Sequence, residues 1–324
     1  MKEESLDTHL NRRDMILATA SLAALSTTSV AARVTDAYLY SYFTAKDQAA
    51  GLRLAASNDG LTFETLRDGA IFLKAGVGEA GLMRDPCLFR TPHSGAPFHL
   101  VWTTAWEGQT IGYASSHDLI EWTPQRAIPV MQAFPGTRHT WAPEGIWDAR
   151  NRQFLIFWSS TVTDMFSDRE GTSENNLNPR IFYTTTKDFQ SFAPTRVLFD
   201  PGFQVIDASF MAGPRGALTL LFKDERKNPV KKNIRLARAA SATGPFTVDP
   251  NPISLPDSWV EGPTGIWTGS EYRVYGDAYM RKQMTMFASR DLSTWSETPI
   301  STPVGMRHGT IIRVPGKLID RLRG

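Results

Sequence analysis

Four acidic residues and one histidine open short apolar runs at corresponding places in this chain. They are Asp85 in Asp85-Pro86-Cys87-Leu88-Phe89, Glu144 in Glu144-Gly145-Ile146-Trp147, Asp207 in Asp207-Ala208-Ser209-Phe210-Met211, Glu261 in Glu261-Gly262-Pro263-Thr264-Gly265-Ile266-Trp267, and His308 in His308-Gly309-Thr310-Ile311-Ile312. A carboxylate at the head of an apolar strand is costly unless it is solvated, paired or put to use. Clustered carboxylates push one another's pKa values apart, so one can be protonated while its neighbour is ionised. An acid and a base working on the same bond require that condition.

The elements that must gather these residues are written as a repeat. The phrase Ser57-Asn58-Asp59-Gly60-Leu61-Thr62-Phe63 returns as Ser116 to Trp122, Thr186 to Phe192 and Ser289 to Trp295, with a looser copy from Ser241 to Phe246. The closing aromatics Phe63, Trp122, Phe192, Phe246 and Trp295 are separated by 59, 70, 54 and 49 residues. That period suits one four-stranded unit, and five units predict an all-β, five-bladed β-propeller. Ahead of each phrase lie hairpin pairs such as Phe98 to Trp102 with Thr110 to Ala114, and Phe154 to Trp158 with Ile181 to Thr185. The Asp of each phrase fits a turn in which its side chain accepts local N–H groups. The N-terminal unit lacks an opening strand, while His308 to Ile312 has no unit of its own. The C-terminal strand is therefore expected to pair with the N-terminal blade and close the ring.

In a propeller the innermost strands run parallel around the axis, so their first residues converge on one mouth. Asp85, Glu144, Asp207, Glu261 and His308 are expected there as a ring. Asp207 and Glu261 come from neighbouring blades, and Asp85 stands two steps from Glu261 past His308. An inverting glycosidase sets a protonated acid across the sugar from a carboxylate ~6.5–9.5 Å away that holds water. Glu261 and Asp85 suit those positions, with the charge of Asp207 favouring protonated Glu261 and orienting it. A retaining enzyme needs its pair at ~5–5.5 Å, a spacing open to the neighbours Asp207 and Glu261.

Together with the blade phrases, Arg84-Asp85-Pro86, Trp141-Ala142-Pro143, Val205-Ile206-Asp207, Glu261-Gly262-Pro263 and Arg307-His308-Gly309-Thr310 resemble glycoside hydrolase family 43 over residues 36 to 315. The resemblance implies a five-bladed propeller that releases terminal α-L-arabinofuranosyl or β-D-xylosyl residues from plant-type polysaccharides or oligosaccharides with inversion. It implies Asp85 as general base, Asp207 as the residue that tunes and orients the acid, and Glu261 as general acid. For some members it also implies a calcium ion on the axis, approached through water by the histidine that His308 matches. Calcium wants six to eight oxygens, which one histidine does not supply. No other cofactor is indicated.

Trp106, Trp141 and Phe166 are candidate platforms for sugar C–H faces, whereas Trp102, Trp147 and Trp158 are assigned to packing between blades. Arg84, Arg307 and Glu144 are candidate substrate contacts. The loops from Thr163 to Arg180 and from Asp224 to Asn233 are read as solvated hairpin tips, the first also as a border that would narrow the mouth. Cys87 is read as a buried, inert thiol. The fructan-cleaving families 32 and 68 share an Arg-Asp-Pro phrase but carry an early Asn-Asp-Pro that is missing here. A propeller phosphorylase and a non-catalytic carbohydrate-binding propeller are the remaining rivals.

Composition narrows the partners. Lys plus Arg is 35 against 33 Asp plus Glu, a net charge of +2, so neither nucleic acid nor an anionic membrane is expected. A carbohydrate is the expected partner, and oligomeric state is unreadable. Asn11-Arg12-Arg13-Asp14-Met15 precedes an Ala/Ser/Thr-rich apolar run, so residues 1–32 read as a twin-arginine-type export signal. Residues 33–324 then form a single periplasmic or extracellular catalytic domain without a membrane span.

Overall fold

The computed structural model describes residues 36–166 and 177–324. The export-signal reading of residues 1–32 and the middle of the loop from Thr163 to Arg180 lie outside the described residues. Each repeated phrase folds as a turn for a local reason. Asp59 Oδ1 accepts the N–H groups of Leu61 and Thr62 at 2.7 and 2.9 Å, and Ser57 Oγ accepts that of Gly60. The same bonds recur around Asp118 with Ser116, Asp188 with Thr186 and Asp291 with Ser289. The residue after the Asp is left-handed every time: Gly60, Leu119, Phe189 and Leu292. Side-chain oxygens thus supply the partners that a tight turn denies its backbone.

Between these turns the chain builds five antiparallel sheets. The first contains β1 (Asp36–Thr44), β2 (Gly51–Ser57), β3 (Glu64–Thr65) and β4 (Leu73–Lys74). The second is β5 (Arg84–Phe89), β6 (Phe98–Thr103), β7 (Ile111–Ser116) and β8 (Arg126–Ile128). The third is β9 (Trp141–Asp148), β10 (Gln153–Ser160), β11 (Arg180–Thr186) and β12 (Arg196–Phe199). The fourth is β13 (Val205–Ala212), β14 (Leu218–Asp224), β15 (Asn233–Ala239) and β16 (Phe246–Val248). The fifth is β17 (Val260–Trp267), β18 (Tyr272–Ala278), β19 (Gln283–Ser289) and β20 (Ser296–Thr298). β21 (Met306–Arg307) and β22 (Ile311–Pro315) return to the first sheet. There Phe43 pairs with Arg307, Tyr40 with Ile311 and Ala37 with Val314, which closes the five-bladed propeller as expected. A short helix not read from the sequence, α1 (Gly316–Arg323), buries Leu318, Ile319 and Leu322 against the first blade.

The core lies between blades rather than within them. One apolar cluster packs Leu155, Phe157 and Ile181 of the third blade on Leu220 and Phe222 of the fourth, and another joins Met211 and Leu221 to Val260 and Val274. Inner strands β5, β9, β13, β17 and β22 touch in turn around the axis, and β22 returns to β5. Register shifts interrupt the pairing of β5, β13 and β17 between Arg84 and Cys87, Ile206 and Ser209, and Glu261 and Thr264; the pairing of β9 shifts beside Trp141. At each shift one residue is left-handed: Asp85 (φ 51°), Ala142 (46°), Asp207 (53°) and Gly262 (56°). These four are the equivalent positions of the blades.

That register corrects the alignment read from the sequence. Glu261 sits one residue before the equivalent position and Glu144 two residues after it, because a bulge adds a residue and shifts the alternation of faces. Gly262 is a forced choice. A Cβ there would lie 2.0 Å from Cγ of His308, on a backbone that side chains rarely adopt.

Candidate active site

The mouth holds a pocket of about 340 Å³, and Asp85, Asp207, Glu261 and His308 all line it. Asp85 is fixed from two sides. Thr103 Oγ1 donates to its Oδ2 at 2.7 Å, and His308 Nε2 pairs with its Oδ1 at 3.0 Å. The other ring nitrogen of His308 lies 3.6 Å from Asp277 and 3.8 Å from Glu261. One imidazole thus stands between Asp85 and Glu261, 3.0 Å from the first carboxylate and 3.8 Å from the second. Asp207 is held by its backbone N–H to Ser159 Oγ at 3.0 Å and by its Oδ2, which accepts the N–H of Gly262 at 3.0 Å. Among the described residues no cation lies within ion-pair distance of it.

Glu261 has opposite surroundings. Lys223 Nζ donates to Oε2 at 3.0 Å and Arg307 Nη2 to Oε1 at 2.9 Å. Lys223 also contacts Glu225 at 3.0 Å and the Tyr279 hydroxyl at 3.4 Å, Lys232 pairs with Glu225, and Arg307 pairs with Asp277. The lower wall is therefore a chain of alternating charges.

Titration follows from these contacts. Burial works to raise Asp85, but Arg84 and His308 outweigh it and hold its carboxyl well below the usual range. Burial likewise opposes ionised Glu261, yet Lys223, His308 and Arg307 bring it down to about 2. Asp207 is raised by burial to about 6, with the negative charge of Glu261 adding to the effect against the pull of His308. Burial disfavours a charged His308, and Asp85, Asp277 and Asp207 overcome it, so the ring is an imidazolium. The expectation that Asp207 keeps Glu261 protonated is reversed in this arrangement: Lys223, which the sequence reading did not place, sits on Glu261 instead.

Of the other candidates, Arg84, Trp106, Trp141 and Arg307 line the pocket. Trp141 Nε1 donates to the Trp106 carbonyl at 2.9 Å, and its ring stacks on His139. Glu144 does not reach the mouth pocket. It lies deeper on the axis, accepting from Thr310 Oγ1 at 2.9 Å and Cys87 Sγ at 3.1 Å, and burial raises its pKa to about 7. Cys87 is buried as expected, with its thiol donating to that carboxylate. Phe166 is absent from the lining and packs against Arg180 and Phe182.

Lys223, Glu225, Tyr279 and Asp277 went unread. The segment from Asp224 to Asn233 is no solvated tip at its ends, since Asp224, Glu225, Lys232 and Asn233 are all buried. The available signals were Lys223 closing the apolar strand from Leu218 and lone Asp277 in the strand after Tyr272.

Glu261, Asp277 and His308 lie close enough to suggest a metal cluster. They do not fit calcium. Arg307 and Lys223 occupy the carboxylate oxygens, and an imidazolium offers no lone pair to a cation that needs six to eight oxygens.

Comparisons with known proteins bear on the family and the fold. The model of the glycosyl hydrolase 43-related family, described as "Probable glycosyl hydrolase domain", matches residues 34–320. An α-L-arabinofuranosidase of Bifidobacterium longum subsp. longum is 26% identical over 174 residues, 47% of this chain and 16% of that protein. The chain thus spans a small part of that relative's length. Among solved structures, a thermostable family-43 glycoside hydrolase superposes with a TM-score of 0.53 at 17% identity, over 70% of this chain and 78% of its own. An exo-β-1,3-galactanase of Phanerochaete chrysosporium with galactose does so with a TM-score of 0.51 at 14% identity, over 69% and 52%.

Proposed function

From the premise that this chain belongs to the glycosyl hydrolase 43-related family, we propose that it is an exported, inverting glycosidase releasing terminal α-L-arabinofuranosyl or β-D-xylosyl units. The observation that carries this reading is the arrangement: an ionised Asp85, held by Thr103 and His308, and Glu261 on the other side of the same imidazole both line the mouth pocket, as an acid and base pair of an inverting enzyme would. Asp85 takes a proton from that water as its oxygen bonds to the anomeric carbon. On the opposite face the glycosidic C–O bond breaks, and Glu261 passes its proton to the leaving oxygen.

Glu261 and Asp207 act as one unit for that proton. In the free protein below about pH 6 it rests on Asp207, which among the described residues has no cation within ion-pair distance, while Lys223 and Arg307 hold Glu261 ionised. Glu261 becomes the donor when Lys223 releases it, and Glu225 and Tyr279 are already in place to keep that ammonium paired. The test is turnover of 4-nitrophenyl α-L-arabinofuranoside and β-D-xylopyranoside beside aryl glycosides with poorer leaving groups, for the native protein and Glu261→Gln. Loss that deepens as the leaving group worsens supports Glu261 as acid. Equal loss for every leaving group contradicts it.

A further inference from the structure

Arg84 is a charged pocket residue whose charge helps to hold Asp85 ionised but whose N–H groups the reaction leaves unused. Its guanidinium carbon lies 4.1 Å from the centroid of the Trp106 ring and 4.8 Å from that of Phe43. The residue is only 9% exposed and is part of the pocket lining. Among the described residues no carboxylate lies within ion-pair distance of it and no acceptor takes its N–H groups. Its charge reaches Asp85 through space, without a hydrogen bond.

Its neighbours are matched. Lys223 has Glu225 and Glu261, Arg307 has Glu261 and Asp277, and His308 has Asp85. A desolvated guanidinium without an acceptor is costly, and stacking on aromatic rings leaves its in-plane N–H groups as the edge available to a ligand. None of its nitrogens is among the enclosed, partnerless atoms of the interior, so those donors keep some access, on a residue that lines the pocket. A planar carboxylate satisfies both the fork and the charge, whereas a neutral hydroxyl answers a donor and leaves the charge unmatched.

We propose that Arg84 is a recognition site for the carboxylate of a uronic acid, so that the propeller cleaves pentosyl units from acidic, uronate-bearing glycans. This deepens the glycosidase reading and rests on it.

The test pairs pentose oligosaccharides carrying glucuronic acid with their carboxyl-reduced counterparts, and titrates free glucuronate and glucose into the protein by calorimetry. The native protein, Arg84→Met and Arg84→Lys are compared. The acidic oligosaccharide is expected to win in kcat/KM by about tenfold or more, the usual scale of a hydrogen bond to a charged group. That preference should vanish in Arg84→Met and shrink in Arg84→Lys, which keeps the charge and loses the fork. Should Arg84→Met fail to fold, Arg84→Lys decides. Equal rates on the acidic and reduced forms, or a preference that survives the substitution, overturn the proposal while leaving the enzyme intact. Glucuronate binding that depends on Arg84, with no glycan cleaved, overturns the glycosidase reading and keeps the site.

Discussion

The same residue type does two different things in this molecule, at the blade tips and at the mouth. Asp59, Asp118, Asp188 and Asp291 each accept N–H groups two and three residues ahead, so all their partners lie within one turn of chain. Asp85, Asp207 and Glu261 draw their side-chain partners from other strands and other blades: Thr103, His308, Gly262, Lys223 and Arg307. A turn aspartate therefore makes the architecture repeat. A mouth carboxylate depends on that architecture having already formed, and its pKa is set by whichever charges the fold delivers.

The comparison breaks most sharply by substitution. Glu261→Gln should cut hydrolysis of glycosides with poor leaving groups by ~10²–10⁴-fold, the range for removing a general acid, while Asp118→Asn leaves kcat/KM at the native level. Steady-state kinetics on both variants checks this, and a comparable loss in Asp118→Asn would erase the distinction.

Lys223→Met comes next. Removing a cation beside a carboxyl raises its pKa, and Lys223 lowers both Glu261 and Asp207, so the pair keeps its shared proton to higher pH and the alkaline limb of kcat/KM should move upward by about one unit or more. Lys223→Arg should hold the limb near its native place. The acidic limb, set by Asp85, should stay put, and a rigid shift of the whole profile would contradict the assignment.

Glu144 tests the deeper axis. Its folded-state pKa is raised to about 7, so its contribution to stability is full below its unfolded value, about 4.3, and is lost as pH rises through about 7. Glu144→Gln should melt like the native protein near pH 5 and at a higher temperature above pH 8.

Asp118→Ala should show the smallest effect, a loss of about 1 kcal/mol for the turn bonds. Its carboxyl is lowered by the N–H groups of Glu121 and Ile120. The difference from the native protein should persist above the unfolded value of about 3.9 and fade as pH falls through the folded one. Denaturant melts at pH 7 and pH 3 would reveal it.

What was legible follows the same division. The repeated phrases disclosed the blades because their physics is local, and His308 to Ile312 disclosed the closure because a strand lacked a sheet. The ring was read one layer too coarsely. The bulges of β9 and β17 move Glu144 below the mouth and Glu261 ahead of Gly262, and no strand periodicity reveals a bulge before its partner strand is known. Lys223 and Asp277 escaped because each looks like an ordinary strand residue until the fold sets the Lys223 side chain on Glu261 and pairs Asp277 with Glu261 across β17 and β18. Helix α1 is too short for its apolar residues to announce a helix without the blade they cover.

The most direct test of the central claim is the anomeric configuration of the first product released from an arabinofuranoside or xyloside, followed by proton NMR before mutarotation. An initial product inverted relative to the substrate, formed by the native protein and lost in Asp85→Asn, is what the Asp85 and Glu261 geometry predicts. A retained product would contradict it and move the chemistry to a closer pair of carboxylates.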